Sequence, residues 1–203
     1  MTTDPDPRQH APAADRNREP ILAVLRGVLP RKGLVLEIAS GTGQHVTFFA
    51  AALRDLHWQP SDPDADARAS IAAWTAHAGL SNVRRPLEID VTNPAWGIDG
   101  ADAMICINMI HISPWASTRA LFDGARRVLT PGAPLVLYGP YRRHGTHTAP
   151  SNEAFDAQLR QRNPAWGVRD LESVVEMADA AGFDAAEPVA MPANNFCVIF
   201  HRR

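Results

Sequence analysis

The segment Leu34-Val35-Leu36-Glu37-Ile38-Ala39-Ser40-Gly41-Thr42-Gly43 decides the fold of this chain. Its first five residues are apolar except for Glu37, and they predict a buried β-strand that ends in a turn of small residues. Helix-compatible residues follow from Gln44. A strand, a small-residue turn and a helix bring backbone N–H groups close to a bound ligand. The Glu37 carboxylate just before the turn favours a cationic or hydroxyl-bearing ligand over a diphosphate, which it would repel.

The composition sets limits on the class of protein. The chain has 203 residues, of which 45% are hydrophobic, so it is long enough for one complete hydrophobic core. The formal net charge of −2 gives no electrostatic reason to expect a nucleic-acid or membrane partner. The N-terminal residues lack the profile of a signal peptide, and no apolar run reaches about 18 residues. We therefore expect a cytoplasmic protein.

Alternating strand and helix patterns predict the architecture. Residues 1–13 are rich in Pro, Asp and Ala without periodicity and are predicted to be a disordered tail, whereas 14–203 are predicted to form one domain. Apolar spacings of three and four predict a first helix over 14–29. The whole pattern predicts a doubly wound α/β fold with a mostly parallel, seven-stranded sheet and an antiparallel terminal strand. The predicted strands are 34–38, 56–60, 83–91, 101–107, 135–138, 186–190 and 196–201.

Neither the cysteines nor the clustered histidines predict a metal site. Cys106 and Cys197 lie in apolar runs, which favours buried reduced thiols over a disulfide. His144 and His147 share a loop that has no companion cysteine or carboxylate cluster. We therefore predict no bound metal.

Two carboxylates end successive predicted strands. Asp62 follows Gly43 by 19 residues, close to the spacing at which a second-strand carboxylate meets ribose hydroxyls in nucleotide-binding folds. Asp90 stands near the end of the next predicted strand. The alternative interpretation of both residues is an ordinary polar strand end.

Three motifs resemble those of class I S-adenosylmethionine (SAM)-dependent methyltransferases. Residues 37–43 resemble the first motif, an acidic residue followed by three alternating glycines. Residues 127–133 (RVLTPGA) resemble the signature that precedes the fifth strand, and 172–183 resemble the helix that ends in Ala-Gly-Phe. This resemblance implies a Rossmann-like fold, SAM as cofactor and S-adenosylhomocysteine as product.

Three further segments resemble the DUF938 family more narrowly. They are DRNREPI at 15–21, QPSD at 59–62 and NMIHISPW at 108–115. The first-motif turn departs from the general pattern at Ala39, which replaces a glycine. A dinucleotide fingerprint aligned on Gly41 would need glycine at positions 39 and 44, where Ala39 and Gln44 stand, so NAD binding is disfavoured.

The resemblance also implies a set of cofactor contacts. The turn would pack on SAM, and Glu37 would hold its amino-acid end. Asp62 would accept hydrogen bonds from both ribose hydroxyls, and Asp90 with Val91 would meet the adenine. The residues that end the strand at 101–107 would flank the methionine portion and face the methyl group. The predicted cofactor-binding residues are Arg16, Asn17, Glu37, Ala39, Ser40, Gly41, Gly43, Asp62, Pro63, Asp90, Val91, Asn108 and Met109.

Arg16 and Asn17 belong to a polar cluster at the start of the first predicted helix. One interpretation is a solvated helix start. The other is a lid whose two side chains close over a bound ligand. The sequence leaves both open.

Candidate catalytic and acceptor-binding residues follow the predicted strands at 101–107 and 135–138. Methyl transfer is an in-line displacement at carbon, so an enzyme has chiefly to orient the nucleophile, and a base is needed only for a protonated nucleophile. His111 and Tyr141 are the predicted catalytic residues, although His111 is equally compatible with a structural role. The predicted acceptor-binding residues are Trp115, Tyr141, Arg142, His144, Asn194 and Asn195.

Two of these predictions have simple alternatives. Arg142 and Arg143 would clamp a carboxylate or phosphate of the acceptor, or they are solvated. Trp115 would line an apolar acceptor pocket, or it is merely packed.

The sequence as a whole predicts a monomeric or homodimeric methyltransferase that uses SAM to methylate an O, N or S atom of a small molecule. The alternatives are a non-catalytic binding protein that keeps the fold, and other SAM chemistry such as aminopropyl transfer.

Overall fold

A computed structural model describes residues 6–203 of the chain. Its strands are β1 (Gly33–Ile38), β2 (Leu56–Pro60), β3 (Ala103–Ile107), β4 (Pro134–Arg143), β5 (Thr146–His147), β6 (Arg169–Asp170), β7 (Phe183–Ala185), β8 (Val189–Met191) and β9 (Asn195–Arg202). Its α-helices are α1 (Pro12–Val28), α2 (Gln44–Ala52), α3 (Ala65–His77), α4 (Trp115–Val128), α5 (Pro150–Arg162) and α6 (Leu171–Ala180). Among these residues, no helix is long and apolar enough to cross a membrane.

The strands form one mixed sheet in the order β2-β1-β3-β4-β9-β7. The pairs from β2 to β4 are parallel, whereas β9 runs antiparallel to both β4 and β7. The short strands β5 and β6 pair with the C-terminal end of β4, and β8 pairs with β9. The predicted doubly wound, mostly parallel α/β sheet with an antiparallel terminal strand is thus confirmed, although the sheet formed by residues 6–203 has nine strands rather than the predicted seven.

Both faces of the sheet are covered by helices, which explains the continuous apolar runs of its central strands. On the face that we call the front, Val35, Ile105 and Val136 pack in a core with residues of α1, α2 and α3. On the opposite face, called the back, Leu36 and Leu137 pack with residues of α4 and α6. Side chains alternate between these faces along each strand.

The predicted strand at 83–91 is wrong. The segment runs beside β2 and makes two isolated parallel bridges, Trp58 with Val83 and Ser61 with Leu87. Between them Pro86 has no N–H to donate to a ladder, which interrupts the pairing. The carbonyl of Arg85 instead accepts a hydrogen bond from the Gln59 amide at 2.8 Å.

The N-terminal segment also differs from the prediction of a disordered tail, although residues 1–5 lie outside the described residues. Helix α1 begins at Pro12. Before it, the backbone N–H of Gln9 donates to Ser70 Oγ at 2.8 Å, and the indole of Trp74 donates to the carbonyl of Gln9 at 2.8 Å. The N–H of Ala11 donates to the side chain of Gln44 at 2.6 Å. These long-range bonds hold the segment against α2 and α3, and composition alone does not reveal them.

Candidate functional site

The turn between β1 and α2 has three residues in the left-handed region. Ala39, Gly41 and Gly43 have φ of 54°, 56° and 86°. A Cβ atom on Gly43 would lie 2.7 Å from the Cα of Ile71, so only glycine fits there. Ala39 adopts a left-handed conformation that glycine takes more readily, at a cost of roughly 1–2 kcal/mol. Replacement of the motif glycine by Ala39 therefore leaves this position in the left-handed region.

Asp62 joins this turn to the end of β2. Its buried carboxylate accepts hydrogen bonds from the N–H of Gly41 at 2.9 Å and from the N–H of Asp64 at 3.0 Å. Ser40, also buried, donates its N–H to the carbonyl of Ser61 at 2.8 Å. Each carboxylate oxygen keeps a further lone pair, so Asp62 has acceptor capacity for a ligand hydroxyl. Pro63, next in the chain, is exposed at the same strand end.

Glu37 is a buried carboxyl group beneath the turn. It is 1% exposed, and its Oε2 has no hydrogen-bond partner within residues 6–203. Burial raises the pKa of Glu37 to about 8, and the charge of Asp62 adds to that rise. This raised pKa indicates that no positive charge of the described residues lies beside the carboxyl group, because a neighbouring positive charge would lower the pKa. The ammonium group of SAM fits this requirement.

Asp90 lies at the edge of the sheet that also carries Asp62. The N–H of Asp62 donates to the carbonyl of Leu87 at 3.1 Å, which brings the two segments together. Asp90 is exposed, and one of its oxygens accepts from the N–H and the hydroxyl of Thr92 at 2.9 and 2.8 Å. Val91 is buried in the core of the back face. The predicted ribose and adenine contacts therefore lie at neighbouring segment ends.

A cluster of polar side chains spans the front face at the carboxyl end of the sheet. Asn17 Oδ1 lies 2.7 Å from Nε2 of His45, and Asn195 donates to the hydroxyl of Tyr138 at 2.9 Å. Burial raises the pKa of Tyr138, while hydrogen bonding by Asn17 and Asn195 and the charge of Arg16 oppose that rise. The structure thus brings Arg16, Asn17 and Asn195 around Tyr138, and Asn17 links this cluster to His45.

The loop after β3 begins with strained backbone. Asn108 has φ of 62°, and its N–H donates to the carbonyl of Tyr138 at 2.8 Å. Met109 is buried, and its sulfur accepts a hydrogen bond from Ser113 at 3.3 Å. A non-glycine residue in the left-handed region is a feature that recurs at ligand-binding sites.

His111 and Tyr141 contact each other on the back side of β4. Their rings are perpendicular with centroids 5.1 Å apart, and both residues are completely buried. Burial, and then the charge of Arg169, lower the pKa of His111 to about 3. The N–H of Arg169 points at Nδ1 of His111 at 3.4 Å, which places the imidazole proton on Nε2. His111 is then a neutral donor, so the arrangement provides no proton acceptor at Nε2.

The space around this pair is narrow. Within the described part of the chain, neither His111 Nε2 nor the Tyr141 hydroxyl has a hydrogen-bond partner. A Cβ atom on Gly139 would lie 2.4 Å from His111 Nε2, so the glycine makes room for the ring. Burial raises the pKa of the Tyr141 hydroxyl further above its usual range. The catalytic roles of these two residues stay predictions.

The structure separates the predicted acceptor-binding residues. Trp115 packs under the guanidinium of Arg169, 5.5 Å from its ring centroid, and lines a cavity of about 400 Å³ between α4 and α6. None of the other predicted site residues lines that cavity. The ring of His144 is exposed and lies 3.6 Å from Glu172. Trp115 and His144 are therefore not brought into the front-face cluster.

The other predicted acceptor residues lie at the front of the sheet. Arg142 follows Tyr138 by four residues on β4, so both side chains share the front face. Asn195 pairs with Pro140 of β4. Asn194 has φ of 58°, and its carbonyl accepts a hydrogen bond from the buried Asn152 at 2.9 Å.

Tyr138, His45 and Asn152 are site residues that the sequence prediction missed. Tyr138 had a readable signal, because a hydroxyl-bearing aromatic ends the apolar run 135–138. Nothing local marks Asn152, whose amide bridges Thr148 and Asn194 only in the folded chain. Across residues 6–203, no three His, Cys, Asp or Glu side chains come together to hold a metal ion.

Comparisons with known proteins show the family and the fold of this chain. The family described as "Protein of unknown function (DUF938)" matches residues 8–202 of the chain. An O-methyltransferase family protein from Burkholderia thailandensis has a similar structure, with a TM-score of 0.81 and 17% identity over 94% of this chain and 57% of its own. Mitomycin 7-O-methyltransferase MmcR gives a TM-score of 0.80 at 13% identity, over 94% of this chain and 54% of its own.

A third similar structure contains a cofactor product. It is CalO1, a methyltransferase in calicheamicin biosynthesis in its SAH-bound form, with a TM-score of 0.73 and 16% identity over 92% of this chain and 54% of its own. This chain thus spans 54 to 57% of the length of these three proteins. At such identities the likeness shows the Rossmann-like class I methyltransferase fold.

Proposed function

This chain belongs to the DUF938 family, and on that premise we propose that it is a SAM-dependent methyltransferase that acts on a small molecule. The observation that carries the proposal is Glu37, a buried carboxyl group with an unpartnered oxygen beside the left-handed turn. A phosphate-bearing cofactor would supply no counter-charge to this largely protonated carboxyl group, whereas a cationic cofactor would lower its pKa and stabilise the ionised carboxylate.

The chain's own residues would hold SAM along the carboxyl ends of β1 and β2. Glu37 would bind the ammonium group, and the open backbone of the turn would pack against the amino-acid portion. Asp62, already fixed by two backbone N–H groups, would accept the ribose hydroxyls without reorganising. Asp90 has one oxygen engaged by Thr92 and another available for the adenine amino group.

The acceptor would be placed on the front face, between α1 and the turn before β9. When bound, SAM supplies an electrophilic methyl group on a sulfonium. Tyr138 and Asn195 would orient the acceptor by hydrogen bonds. Asn17 would exclude water from the side of the acceptor that faces α1. Holding reactants in line for attack contributes up to about 7–11 kcal/mol in favourable cases. A nucleophile that arrives deprotonated needs no base, in keeping with the neutral His111.

Assay of product formation tests the proposal. The purified protein is incubated with SAM and a pool of small phenols, amines and thiols, and S-adenosylhomocysteine is quantified by mass spectrometry. We expect S-adenosylhomocysteine to form together with an acceptor that has gained one methylene unit in mass. Glu37→Gln serves as the matched variant, because it keeps the shape of the side chain and removes its charge. A product with any other mass change contradicts methyl transfer.

A second candidate function is a SAM-binding protein without turnover. The complete burial of both His111 and Tyr141 favours it, because neither group is open to an acceptor. Under this alternative SAM binds, but no acceptor pool yields S-adenosylhomocysteine above the rate of the Glu37→Gln variant.

A further inference from the structure

We propose that the acceptor carries an anionic oxygen group, a carboxylate or a phosphate, which Arg142 and His147 bind on the front face of the sheet. This inference rests on the proposed function and names the class of acceptor. The inference is based on two buried nitrogen atoms, one on each of two neighbouring strands, that have no hydrogen-bond partner in the described residues.

The strand register places the two residues side by side. Arg142 of β4 pairs with His147 of β5 in an antiparallel ladder. Residues that are directly opposite in such a ladder project from the same face, with Cβ atoms about 4.5–5.5 Å apart. Tyr138 lies on the same face of β4, and Asn195 is paired with the intervening Pro140. Arg142 and His147 therefore continue the polar cluster that surrounds Tyr138.

Arg142 has no anionic partner in the described part of the chain. Its buried Nε–H donates to no acceptor in the described residues. Its register partner on β6, Asp170, accepts a hydrogen bond from the N–H of Gly145 at 2.6 Å through one carboxylate oxygen. The next residue shows the contrast. Arg143 points to the other face, where its Nε donates to Glu172 at 2.9 Å. Of two adjacent arginines, one is thus neutralised and the other is left available.

His147 is oriented by a carboxylate on α5. Its Nε2 lies 3.7 Å from Asp156 Oδ2, and Asp156 is itself fixed by Arg160 at 2.8 Å and by the N–H of Val168 at 2.6 Å. Because Nε2 faces Asp156, the other ring nitrogen Nδ1 faces away from that carboxylate. Nδ1 is buried and has no partner within residues 6–203.

The local charge favours an anion. The positive charges of Arg142 and Arg160 contribute to the lowered pKa of Arg169, after the larger effect of burial, so three guanidinium groups lie within electrostatic range. Two carboxylates oppose them: Asp156, which already has Arg160 and His147 as partners, and Asp170, which pairs with Arg142 in the register and accepts the N–H of Gly145. A guanidinium presents donors in a fork that matches carboxylate and phosphate oxygens. An anionic group between Arg142 and His147 would accept hydrogen bonds from the Arg142 Nε–H and, when the imidazole carries a proton on both nitrogens, from the His147 Nδ1–H.

Direct binding to the protein in solution tests this inference without any methyl transfer. The probes are inorganic phosphate and benzoate, titrated at constant ionic strength with chloride as the reference anion. NMR follows the Nε–H signal of Arg142, assigned by its loss in Arg142→Lys, and the ring signals of His147. We expect saturable shifts at both residues with at least one probe. Arg142→Gln should weaken that binding about tenfold or more.

Arg143→Gln is the matched control, because it removes a neighbouring guanidinium that faces the other side and is already paired. We expect its dissociation constant to stay within about twofold of the unmodified protein. The probe that saturates identifies the anionic group. Shifts that never saturate, or equal affinity in Arg142→Gln and the unmodified protein, overturn the inference. If Arg142→Gln does not fold, the titration of the unmodified protein and of Arg142→Lys decides the question. Because SAM is absent, failure to bind anions is distinguishable from failure to bind the cofactor.

Discussion

Asn17 Oδ1 lies 2.7 Å from Nε2 of His45, and this contact joins the second turn of α1 to the second residue of α2. Burial, followed by the charge of Arg18, lowers the pKa of His45 to about 4. The imidazole is therefore neutral at pH 7, and its Nε2–H donates to the amide oxygen. The polar cluster at the start of α1 is thus fixed beside the glycine turn, as the lid hypothesis requires.

Asn17→Ala should weaken SAM binding about threefold to tenfold while the protein stays folded, because one or two modest hydrogen bonds hold the lid in place. Calorimetric titration measures the change in affinity, and circular dichroism monitors folding. Glu19→Ala, an exposed change on the same helix, is the control. Equal affinity in the two variants would favour the solvated helix start.

Glu37 should release a proton when SAM binds. With a pKa of about 8, the carboxyl group is protonated in about nine molecules of ten at pH 7. An ammonium group beside it lowers that pKa, so the proton leaves and SAM affinity rises as the pH increases from 6 towards 8. Titrations in phosphate and in Tris, which differ in ionisation enthalpy, count the protons released. Glu37→Gln should release none, and identical proton counts in both proteins would remove Glu37 from the site.

Asp62→Ala should weaken SAM binding by roughly 1–3 kcal/mol, because ribose hydroxyls lose their acceptor and the N–H of Gly41 loses its partner. Asp62→Asn keeps one carbonyl oxygen and separates these two effects. We expect an intermediate affinity for it. A folded Asp62→Ala protein that binds SAM with unchanged affinity would contradict the ribose assignment.

The free energy of unfolding should fall as the pH decreases from about 6.5 to 4, in part because the pKa of His45 is lower in the folded protein than in the unfolded chain. In the unfolded chain His45 binds a proton below its ordinary pKa of 6.5, whereas the folded protein resists protonation until about pH 4. The unfolded state therefore binds more protons in this window, which lowers the free energy of unfolding by up to about 3 kcal/mol. Urea denaturation at several pH values measures it. His45→Gln, which still donates to Asn17, should reduce the slope, and an unchanged slope would exclude His45 as a contributor.

The sequence predicts the parts of this molecule that local pattern controls. The β1 run and its turn indicate the cofactor end, since a buried carboxylate and small residues are visible within the seven positions 37–43. Ala39 has a positive φ, a conformation that glycine takes more readily, and the sequence pattern does not show this. The strand at 83–91 was predicted from its apolar residues, but the absent N–H of Pro86 prevents a continuous ladder.

The acceptor side was harder to predict because it depends on contacts between distant segments. His111 and Tyr141 follow strand ends, as ligand-binding residues do, yet both pack into the back side of β4. The roles of adjacent residues are separated by the two-residue period of the strand: Arg142 faces the front, and Arg143 reaches Glu172. The predicted strand ended at residue 138, five residues before the end of β4. The sequence therefore did not show that Arg142 lies on a strand and faces the cluster.

Calorimetric titration of the purified protein with SAM and with S-adenosylhomocysteine tests the central claim most directly, with NAD as the control ligand. The account predicts dissociation constants on the order of micromolar for both sulfur ligands, near −8 kcal/mol, and no measurable heat of binding for NAD. A folded protein that binds neither sulfur ligand would contradict the claim that Glu37, Asp62 and the left-handed turn form a SAM site.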